Sequence, residues 1–291
     1  MFLLLAGVLA MQDPDFDTLW NYDRPDETEK KFRELLPTIG DRKGELLTQI
    51  ARTQGLQRKF DEAHKTLDEA EKLATGGVAR VRYLLERGRV FNSSKQRDTS
   101  KPLFVQALEA AQSGGFDNHA IDAAHMLGIV CEPKEALEWN TKAIAMAEAS
   151  KDPKAKGWLG ALYNNVGWTH HDSGDFEKAL DLFRKALAWR AERKQETETR
   201  IARWCVARAL RSLKKVEEAL AIQRELLKEW EEARAEDGYV FEELGECLLA
   251  LGRADEAKQR FARAWELLSK DAWLAENEAK RLARLRELGG K

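Results

Sequence analysis

Three consecutive residues near the middle of the chain, His170, His171 and Asp172, are of types that bind metals or transfer protons. Imidazole and carboxylate groups do this chemistry only when their side chains converge on one point. Successive residues of a helix point about 100° apart, so two adjacent histidines do not face the same ion. A helical zinc pair needs a spacing of four, and neither histidine has a His, Cys or Glu at that distance. The cluster is therefore not a metal site by itself.

The rest of the sequence offers little other chemistry. A glycine-rich phosphate loop, a Ser–His–Asp order and zinc-type Cys/His spacing are all missing from it. The three cysteines, Cys131, Cys205 and Cys247, are too far apart for a CxxC pair, and their odd number argues against a disulfide framework. We therefore expect a protein that is not an enzyme and needs no cofactor.

Charge and composition narrow the class of protein further. The chain has 48 basic and 50 acidic residues, and its net charge is −2. A nucleic-acid-binding protein usually has a basic excess or a basic face, so we expect no nucleic acid partner. Ala, Leu, Glu, Lys and Arg dominate, only 6 of the 291 residues are proline, and β-branched runs are rare. This composition predicts an all-α fold.

The first residues form a separate apolar segment. Residues 2–10 are apolar, but this run is far too short to span a bilayer as a helix. It is typical of the hydrophobic stretch of a secretory signal, with a small-residue cleavage position at Ala10. We therefore predict that residues 1–10 are a signal peptide and that the protein is periplasmic or secreted, without a membrane span. The basic n-region of a signal is missing, and an uncleaved run would leave the protein in the cytoplasm.

Small residues recur along most of the chain at intervals of 36 to 43 residues. One set consists of Ala63, Ser100, Ala136, Ala179, Ala219 and Ala257. A second set lies twelve residues upstream and consists of Ala51, Gly88, Ala124, Gly167, Ala207 and Gly245. A glycine inside a helix costs about 1 kcal/mol relative to alanine, so its return at one repeat position indicates a close approach of two helices. Each copy is therefore predicted to be a helix–turn–helix hairpin, in which the small residue twelve positions later is the glycine's partner.

This pattern resembles the tetratricopeptide repeat. Two copies match the family's small, turn-glycine and large positions well. Residues 160–193 have Gly167, Gly174, Phe176, Ala179, Phe183 and Ala186, and residues 238–271 have Gly245, Gly252, Ala254, Ala257, Phe261 and Ala264, with Ala254 at the position where the family has an aromatic residue. The resemblance implies an all-α, right-handed superhelical solenoid of antiparallel helix pairs. About six repeats would cover residues 44–270, between an N-terminal capping segment at 11–43 and a C-terminal capping helix at 271–291.

In the family, the first helices of the repeats line a concave groove that binds a protein or peptide partner. The family's groove positions lie three and four residues apart, so they share one face of a helix. Here they are occupied by His125, Asn164, Trp168, His171, Asp172, Trp204, Arg208, Arg211, Glu242 and Glu246. Tryptophan and arginine are enriched where partners bind, and an asparagine amide can hold a peptide backbone. The resemblance therefore implies a peptide-binding groove, with His171 facing into it.

Two structural roles compete with binding at these positions. Trp168 or Trp204 would serve structure alone if it packed between adjacent repeats. Arg208 would contribute little if it formed a solvated ion pair with Glu242 or Glu246 across neighbouring repeats, because exposed ion pairs are weak. The sequence does not decide between these roles and partner binding.

Three functions fit these patterns. The first is a non-enzymatic scaffold that binds a protein or peptide in the groove of an exported bacterial protein. The second is a cytosolic regulator that senses a small peptide. The third is a metal-dependent enzyme at a cluster of His125, His171 and Asp172. The repeat pattern favours the first, and we expect a monomer, although apolar residues at the caps would permit a dimer.

Overall fold

The computed structural model describes residues 14–291, and its regular structure within that range consists only of helices. Residues 1–10, predicted above to be a signal peptide, lie outside the described residues, as do the first residues of the N-terminal capping segment. No helix within residues 14–291 is both long enough and apolar enough to cross a membrane. The predicted all-α fold is confirmed.

The chain divides into two compact units between residues 156 and 157. The first unit contains a 3-10 turn at Phe16–Leu19, a second one at Gly40–Arg42, and the helices α1 (Pro25–Leu35), α2 (Lys43–Leu56), α3 (Phe60–Leu73), α4 (Gly77–Ser93), α5 (Arg97–Gly114), α6 (Asp117–Val130), α7 (Pro133–Ala149) and α8 (Pro153–Lys156). The second unit contains α9 (Leu159–Asp172), α10 (Phe176–Glu192), α11 (Glu196–Ser212), α12 (Val216–Glu232), α13 (Gly238–Ala250), α14 (Ala254–Leu268), α15 (Ala272–Asn277) and α16 (Ala279–Leu288).

Consecutive helices pack as antiparallel hairpins in both units. The hairpins are α2/α3, α4/α5 and α6/α7 in the first unit and α9/α10, α11/α12 and α13/α14 in the second. The first helices of neighbouring hairpins also contact each other, as α2 does with α4 and α11 does with α13. Each unit therefore has a face built from first helices, which we call its first-helix face.

Three of the hairpins are held by a phenylalanine ring that packs against a glycine. The pairs are Gly88–Phe104 at 2.5 Å, Gly167–Phe183 at 2.5 Å and Gly245–Phe261 at 2.7 Å, where each distance runs from a Cβ built on the glycine to the nearest ring carbon. All three rings are at most 1% exposed. The sequence analysis assigned this contact to the small residue twelve positions after the glycine. The atoms nearest to each glycine instead belong to the phenylalanine one turn further along the second helix.

Five of the six hairpins have one residue in the left-handed region in the turn between their helices, whereas the short turn between α6 and α7 has none. Gly174 and Gly252 have φ values of 84° and 73°, so both act as turn residues, as their positions in the repeat predict. Arg58, Lys95 and Lys214 occupy the equivalent turns of three other hairpins, with φ values of 62°, 65° and 64°. A residue with a side chain pays roughly 1–2 kcal/mol in this conformation, whereas glycine does not. The turn geometry is therefore kept even where the sequence lacks the glycine.

The two ends of the described chain cover the outermost hairpins. Helix α1 packs on α2, and α16 packs on α14 with Leu282 and Leu285 buried. The segment expected to form one capping helix is instead divided into α15 and α16 at Glu278, where φ is −125° and ψ is 29°. Trp273 on α15 is 62% exposed.

Candidate binding surface on the second unit

Three aromatic side chains form a row across the first-helix face of the second unit. Trp168 on α9, Trp204 on α11 and Tyr239 on α13 follow one another, with ring centroids 5.9 and 6.2 Å apart. The indole Nε1 of Trp204 donates a hydrogen bond to the backbone oxygen of Tyr239 at 3.0 Å. All three residues of this aromatic row remain partly exposed. The two tryptophans therefore pack between adjacent hairpins and still present part of their surface.

An apolar cleft of about 360 Å³ opens beside Trp204 and Tyr239. Its other lining residues are Arg200, Ile201, Trp230, Asp237 and Val240. Ile201 is 49% exposed and continues the apolar surface of the two rings. Contiguous apolar surface in a concave site is the usual mark of a place where another molecule binds. Trp230 is not among the residues predicted from the sequence, because the family's groove positions lie on first helices and this residue lies near the end of the second helix α12.

The charged residues of the apolar cleft are engaged in contacts within the unit. Asp237 precedes α13, and its Oδ1 accepts a hydrogen bond from the backbone nitrogen of Tyr239 at 2.8 Å. Burial raises the pKa of the Asp237 carboxyl. Arg200 lies 4.9 Å from the ring centre of Trp230 and 3.5 Å from the Glu229 carboxylate. The cleft therefore presents an apolar surface, and its charges are already paired.

A second cleft, of about 390 Å³, is bounded by Trp168, Trp204 and a ladder of charged side chains. The members of this charge ladder are Arg208, Arg211, Glu242, Glu243, Glu246, Arg281 and Arg284. Glu243 is the most deeply buried of them, at 2% exposure. It accepts a hydrogen bond from Arg211 at 3.1 Å, and its Oε2 lies 3.8 Å from Nε of Arg208. A buried carboxylate is stable only with such partners, because an unpaired buried charge is strongly unfavourable.

Within the charge ladder, the partner of Arg208 differs from the expected one, and Glu242 and Glu246 have partners that were not predicted. The ion-pair partner of Arg208 is Glu243, rather than Glu242 or Glu246. Glu242 instead accepts a hydrogen bond from Nε of Arg281 on α16 at 2.9 Å, and Glu246 pairs with Arg284 on the same helix. Burial lowers the pKa of the Arg208 guanidinium, and Glu243 offsets this only in part. Glu243, Arg281 and Arg284 are not among the residues predicted from the sequence, because none of them lies at a groove position of the family.

His171 supports the aromatic row from within the unit. The sequence analysis expected it to face the groove, but it is only 8% exposed, which corrects that expectation. Its ring lies 5.1 Å from the Trp168 ring, and its Nε2 is 2.9 Å from Oγ of Ser212 on α11. Burial lowers the pKa of His171, and the charge of Arg208 lowers it further. The neighbouring Asp172 is exposed, and its Oδ1 lies 3.6 Å from Nδ1 of His171.

The remaining predicted residues lie in different surroundings. Asn164 is half-buried on α9, where its Oδ1 accepts a hydrogen bond from Sγ of Cys205 at 3.4 Å. His125 belongs to the first unit, where its Nδ1 lies 3.2 Å from Oδ1 of Asn140. Among residues 14–291, no group of three or more His, Cys, Asp or Glu side chains is arranged to hold a metal ion. The metal-dependent alternative therefore has no candidate set of ligands in this range.

Comparison with known proteins gives one sequence match and many structural ones. The family model described as tetratricopeptide repeat matches residues 132–191. None of the curated proteins matches the chain in sequence. The apo form of RapI is similar in structure with a TM-score of 0.75 and 12% sequence identity, over 95% of this chain and 79% of RapI.

Two further solved structures share the fold. The apo form of the quorum sensor NprR from B. thuringiensis has a TM-score of 0.57 and 14% identity, over 92% of this chain and 82% of that protein. A signal transduction ATPase with numerous domains (STAND) from Pyrococcus horikoshii, which has a tetratricopeptide repeat sensor, has a TM-score of 0.71 and 14% identity over 90% of this chain. The match spans only 41% of the STAND protein. At identities this low, the structural similarity shows a shared fold of stacked helix hairpins.

Proposed function

Because residues 132–191 match the tetratricopeptide repeat and the chain shares its fold of stacked helix hairpins, we propose that it is a non-enzymatic binding protein whose second unit holds an extended peptide or a partner helix on its first-helix face. One observation carries this proposal: the aromatic row of Trp168, Trp204 and Tyr239 stays partly exposed and borders both an apolar and a charged cleft. Partly exposed aromatic rings beside arginines are typical of binding surfaces.

The two clefts would contribute differently to binding. The apolar cleft receives one large apolar side chain of the partner, which is stabilised by the removal of apolar surface from water, about 25 cal/mol per Å². The charged cleft meets the polar backbone or polar side chains of the same partner. Because its charges are already paired, the cleft contributes specificity and orientation more than net affinity.

Partner capture by matched variants tests the proposal. The wild-type protein, the double variant Trp168→Ala with Asn164→Ala, and the control Trp273→Ala are used as baits in extracts of the source organism. Trp273 is an exposed tryptophan on α15 and lines neither cleft. We expect wild type and control to capture the same partner and the double variant to lose it, with unchanged helicity by circular dichroism. Undiminished capture by the double variant contradicts the proposed surface.

A single substitution measures the apolar cleft on the partner so obtained. Truncation of a central aromatic side chain in an interface typically costs about 2 kcal/mol or more, which is roughly thirtyfold in Kd. We expect Trp204→Ala to weaken binding by at least this amount in isothermal titration calorimetry. Equal affinities of the variant and the wild type would assign Trp204 a purely structural role.

The proposed scaffold acts outside the cytoplasm, a location supported by the apolar run at residues 2–10 and by the small-residue cleavage position at Ala10. Mass spectrometry of the protein purified from its own cells tests this location. We expect a mature chain that begins at Met11. A chain that retains residues 1–10 argues for the cytoplasm instead.

A second candidate function is a cytosolic regulator that senses a small peptide. It is favoured by the fold shared with two proteins described as sensors, the quorum sensor NprR and the STAND protein with its tetratricopeptide repeat sensor. This candidate requires an uncleaved chain and a change of shape on binding. Small-angle scattering with and without the bound peptide separates the two, because a scaffold keeps its radius of gyration whereas a sensor changes it.

A further inference from the structure

The first-helix face of the first unit is already occupied by the chain itself. Residues 14–22, which we call the N-terminal strap, run across it before α1 begins. Phe16 of the strap is 0% exposed, and its ring lies 6.2 Å from Phe32 of α1 and 4.2 Å from the guanidinium of Arg42. Trp20 donates a hydrogen bond from Nε1 to Oε1 of Gln49 on α2 at 3.0 Å. The aromatic part of the strap is therefore anchored at α1 and α2.

The acidic part of the strap reaches the far side of the same unit. Asp17 accepts hydrogen bonds from Arg82 on α4 at 2.9 Å and from Nζ of Lys154 on α8 at 3.2 Å. Asp15 accepts a second bond from Lys154 at 2.7 Å. Although burial by itself raises the pKa of Asp17, Arg82 and Lys154 bring it below its usual value. Two carboxylates and two aromatic side chains thus attach one short segment to α1, α2, α4 and α8.

The strap binds mainly through its side chains, as a separate peptide would. Its only regular structure is the 3-10 turn at Phe16–Leu19, and the Asp15 side chain caps that turn. Three of its backbone groups bond to side chains of the unit. The oxygen of Pro14 accepts from Arg42 at 2.8 Å, the nitrogen of Asn21 donates to Oγ1 of Thr28 at 3.0 Å, and the oxygen of Asn21 accepts from the same hydroxyl at 3.1 Å. Nothing in this pattern requires the segment to be covalently joined to α1.

The strap also leaves space beside its acidic end. A cavity of about 410 Å³ borders Asp15 and Asp17. Its other polar lining residues are of both signs or neutral: Arg42, Arg82, Lys154, Asn118, His119, Asp117 and Asp152. A longer ligand therefore has room for further polar contacts that the strap does not make.

We propose that the first-helix face of the first unit is a second binding site, specific for extended segments that combine carboxylates with aromatic side chains, and that the N-terminal strap is its intramolecular competitor. Charge-assisted hydrogen bonds to Arg82 and Lys154 select the carboxylates. The surface between α1 and α2 selects the aromatic rings. Because the strap is tethered, its effective concentration is in the millimolar range or above, and an outside segment binds well only when the strap is weakened.

A peptide copied from the strap tests this inference on the full-length chain. The probe is a fluorescein-labelled peptide with the sequence of residues 14–22, capped at both ends to remove the terminal charges. The strap-weakened protein carries Asp15→Ser and Asp17→Ser, which change only side chains that are more than a third exposed. Asp23→Ser, at an exposed carboxylate just beyond the strap, is the matched control.

We expect the peptide to bind the strap-weakened protein about tenfold more tightly than the wild type or the control in fluorescence anisotropy. A peptide in which both aspartates are serine should bind about tenfold more weakly than the probe, and added salt should reduce the difference. Equal affinity of the probe for all three proteins overturns the inference. So does equal affinity of the two peptides for the strap-weakened protein.

Hydrogen exchange of the wild-type protein gives a second, independent readout. A competitor must detach without unfolding the unit, so the amides of residues 14–22 should exchange well before those of α2 and α4. Exchange of the strap and these two helices in a single step would show that the strap belongs to the folding core, which overturns the inference. Concentration-dependent dimers of the strap-weakened protein, formed when straps are exchanged between copies, would support it, because the site then accepts the segment from another chain.

Discussion

The neighbouring hairpins α9/α10 and α11/α12 fill the same structural position in different ways. In α9/α10, Gly167 faces the ring of Phe183, which is fully buried. In α11/α12, the equivalent positions are Ala207 and Gln223, and Gln223 is also fully buried. Where the first helix has Ala207 in place of a glycine, the second helix has Gln223 in place of a phenylalanine. Across these two hairpins, the larger residue on the first helix is matched by a side chain smaller than Phe sixteen positions later on the second.

The first unit follows the same rule. Its glycine hairpin pairs Gly88 with Phe104, whereas its two alanine hairpins have Leu67 and Asn140 at the position of the ring. The exchange has a cost in α11/α12, because neither Nε2 nor Oε1 of Gln223 has a hydrogen-bond partner among the described residues. A buried amide without a partner typically loses about 1–3 kcal/mol. The glycine hairpins should therefore be the more stable ones.

Among the tests of this comparison, removal of the Phe183 ring should change the free energy of unfolding the most. We expect Phe183→Ala to lower the free energy of unfolding by about 3–5 kcal/mol, because it leaves a large cavity against Gly167. Gln223→Ala, at the equivalent position of the next hairpin, is the matched control and should lose much less, because the amide it removes has no partner. Urea denaturation followed by circular dichroism measures both variants. Equal losses would mean that the ring and the amide stabilise their hairpins to the same degree.

Replacement of the unpaired Gln223 amide should have an intermediate effect, and it should raise the free energy of unfolding rather than lower it. We expect Gln223→Leu, which keeps a similar volume, to raise the free energy of unfolding by about 1–3 kcal/mol. Thermal and urea denaturation of the variant provide the measurement, with Gln259→Leu at an exposed position of α14 as the control. A decrease in stability would show that the amide is satisfied by buried water.

Exchange of the turn residues should have the smallest effect. Gly174 in α9/α10 and Lys214 in α11/α12 both have positive φ, and a Cβ on Gly174 would meet no atom within 4 Å. The two turns therefore differ only in how readily the backbone of glycine or of lysine adopts a positive φ. We expect Lys214→Gly to raise and Gly174→Ala to lower the free energy of unfolding, each by about 1 kcal/mol. Shifts of the same sign in the two variants would contradict a purely conformational effect.

The fold could be predicted from the sequence because its main constraint is steric. Close approach of two helices requires residues without bulk, and their return at a fixed interval is visible without coordinates. The partner of the glycine could not be derived in the same way, because two small residues and a large ring all lie on the facing helix. The recurrence of Gly with Phe at a constant offset, and of Ala without Phe, is the signal that would have identified it.

The candidate site could be predicted only in part. Trp168 and Trp204 were identified by their positions on first helices, and both lie in the aromatic row. Glu243 was missed because a buried carboxylate is not expected without knowledge of Arg211 beside it. His171 was assigned to the surface because offsets along one helix do not reveal that Ser212 of α11 covers it. The burial of Glu243 and His171 thus depends on contacts between helices, which positions along a single helix do not reveal.

The N-terminal strap also affects the order in which the first unit forms during synthesis. Asp15 and its partner Lys154 are separated by 139 residues, which a ribosome takes roughly 10–30 s to add. Phe16 and Trp20 can dock as soon as α1 and α2 have emerged, but the salt bridges to Lys154 close only after the whole unit has left the exit tunnel. The earliest residues of the described chain are thus among the last to be secured, and a molecular chaperone or another nascent chain has that interval in which to engage them.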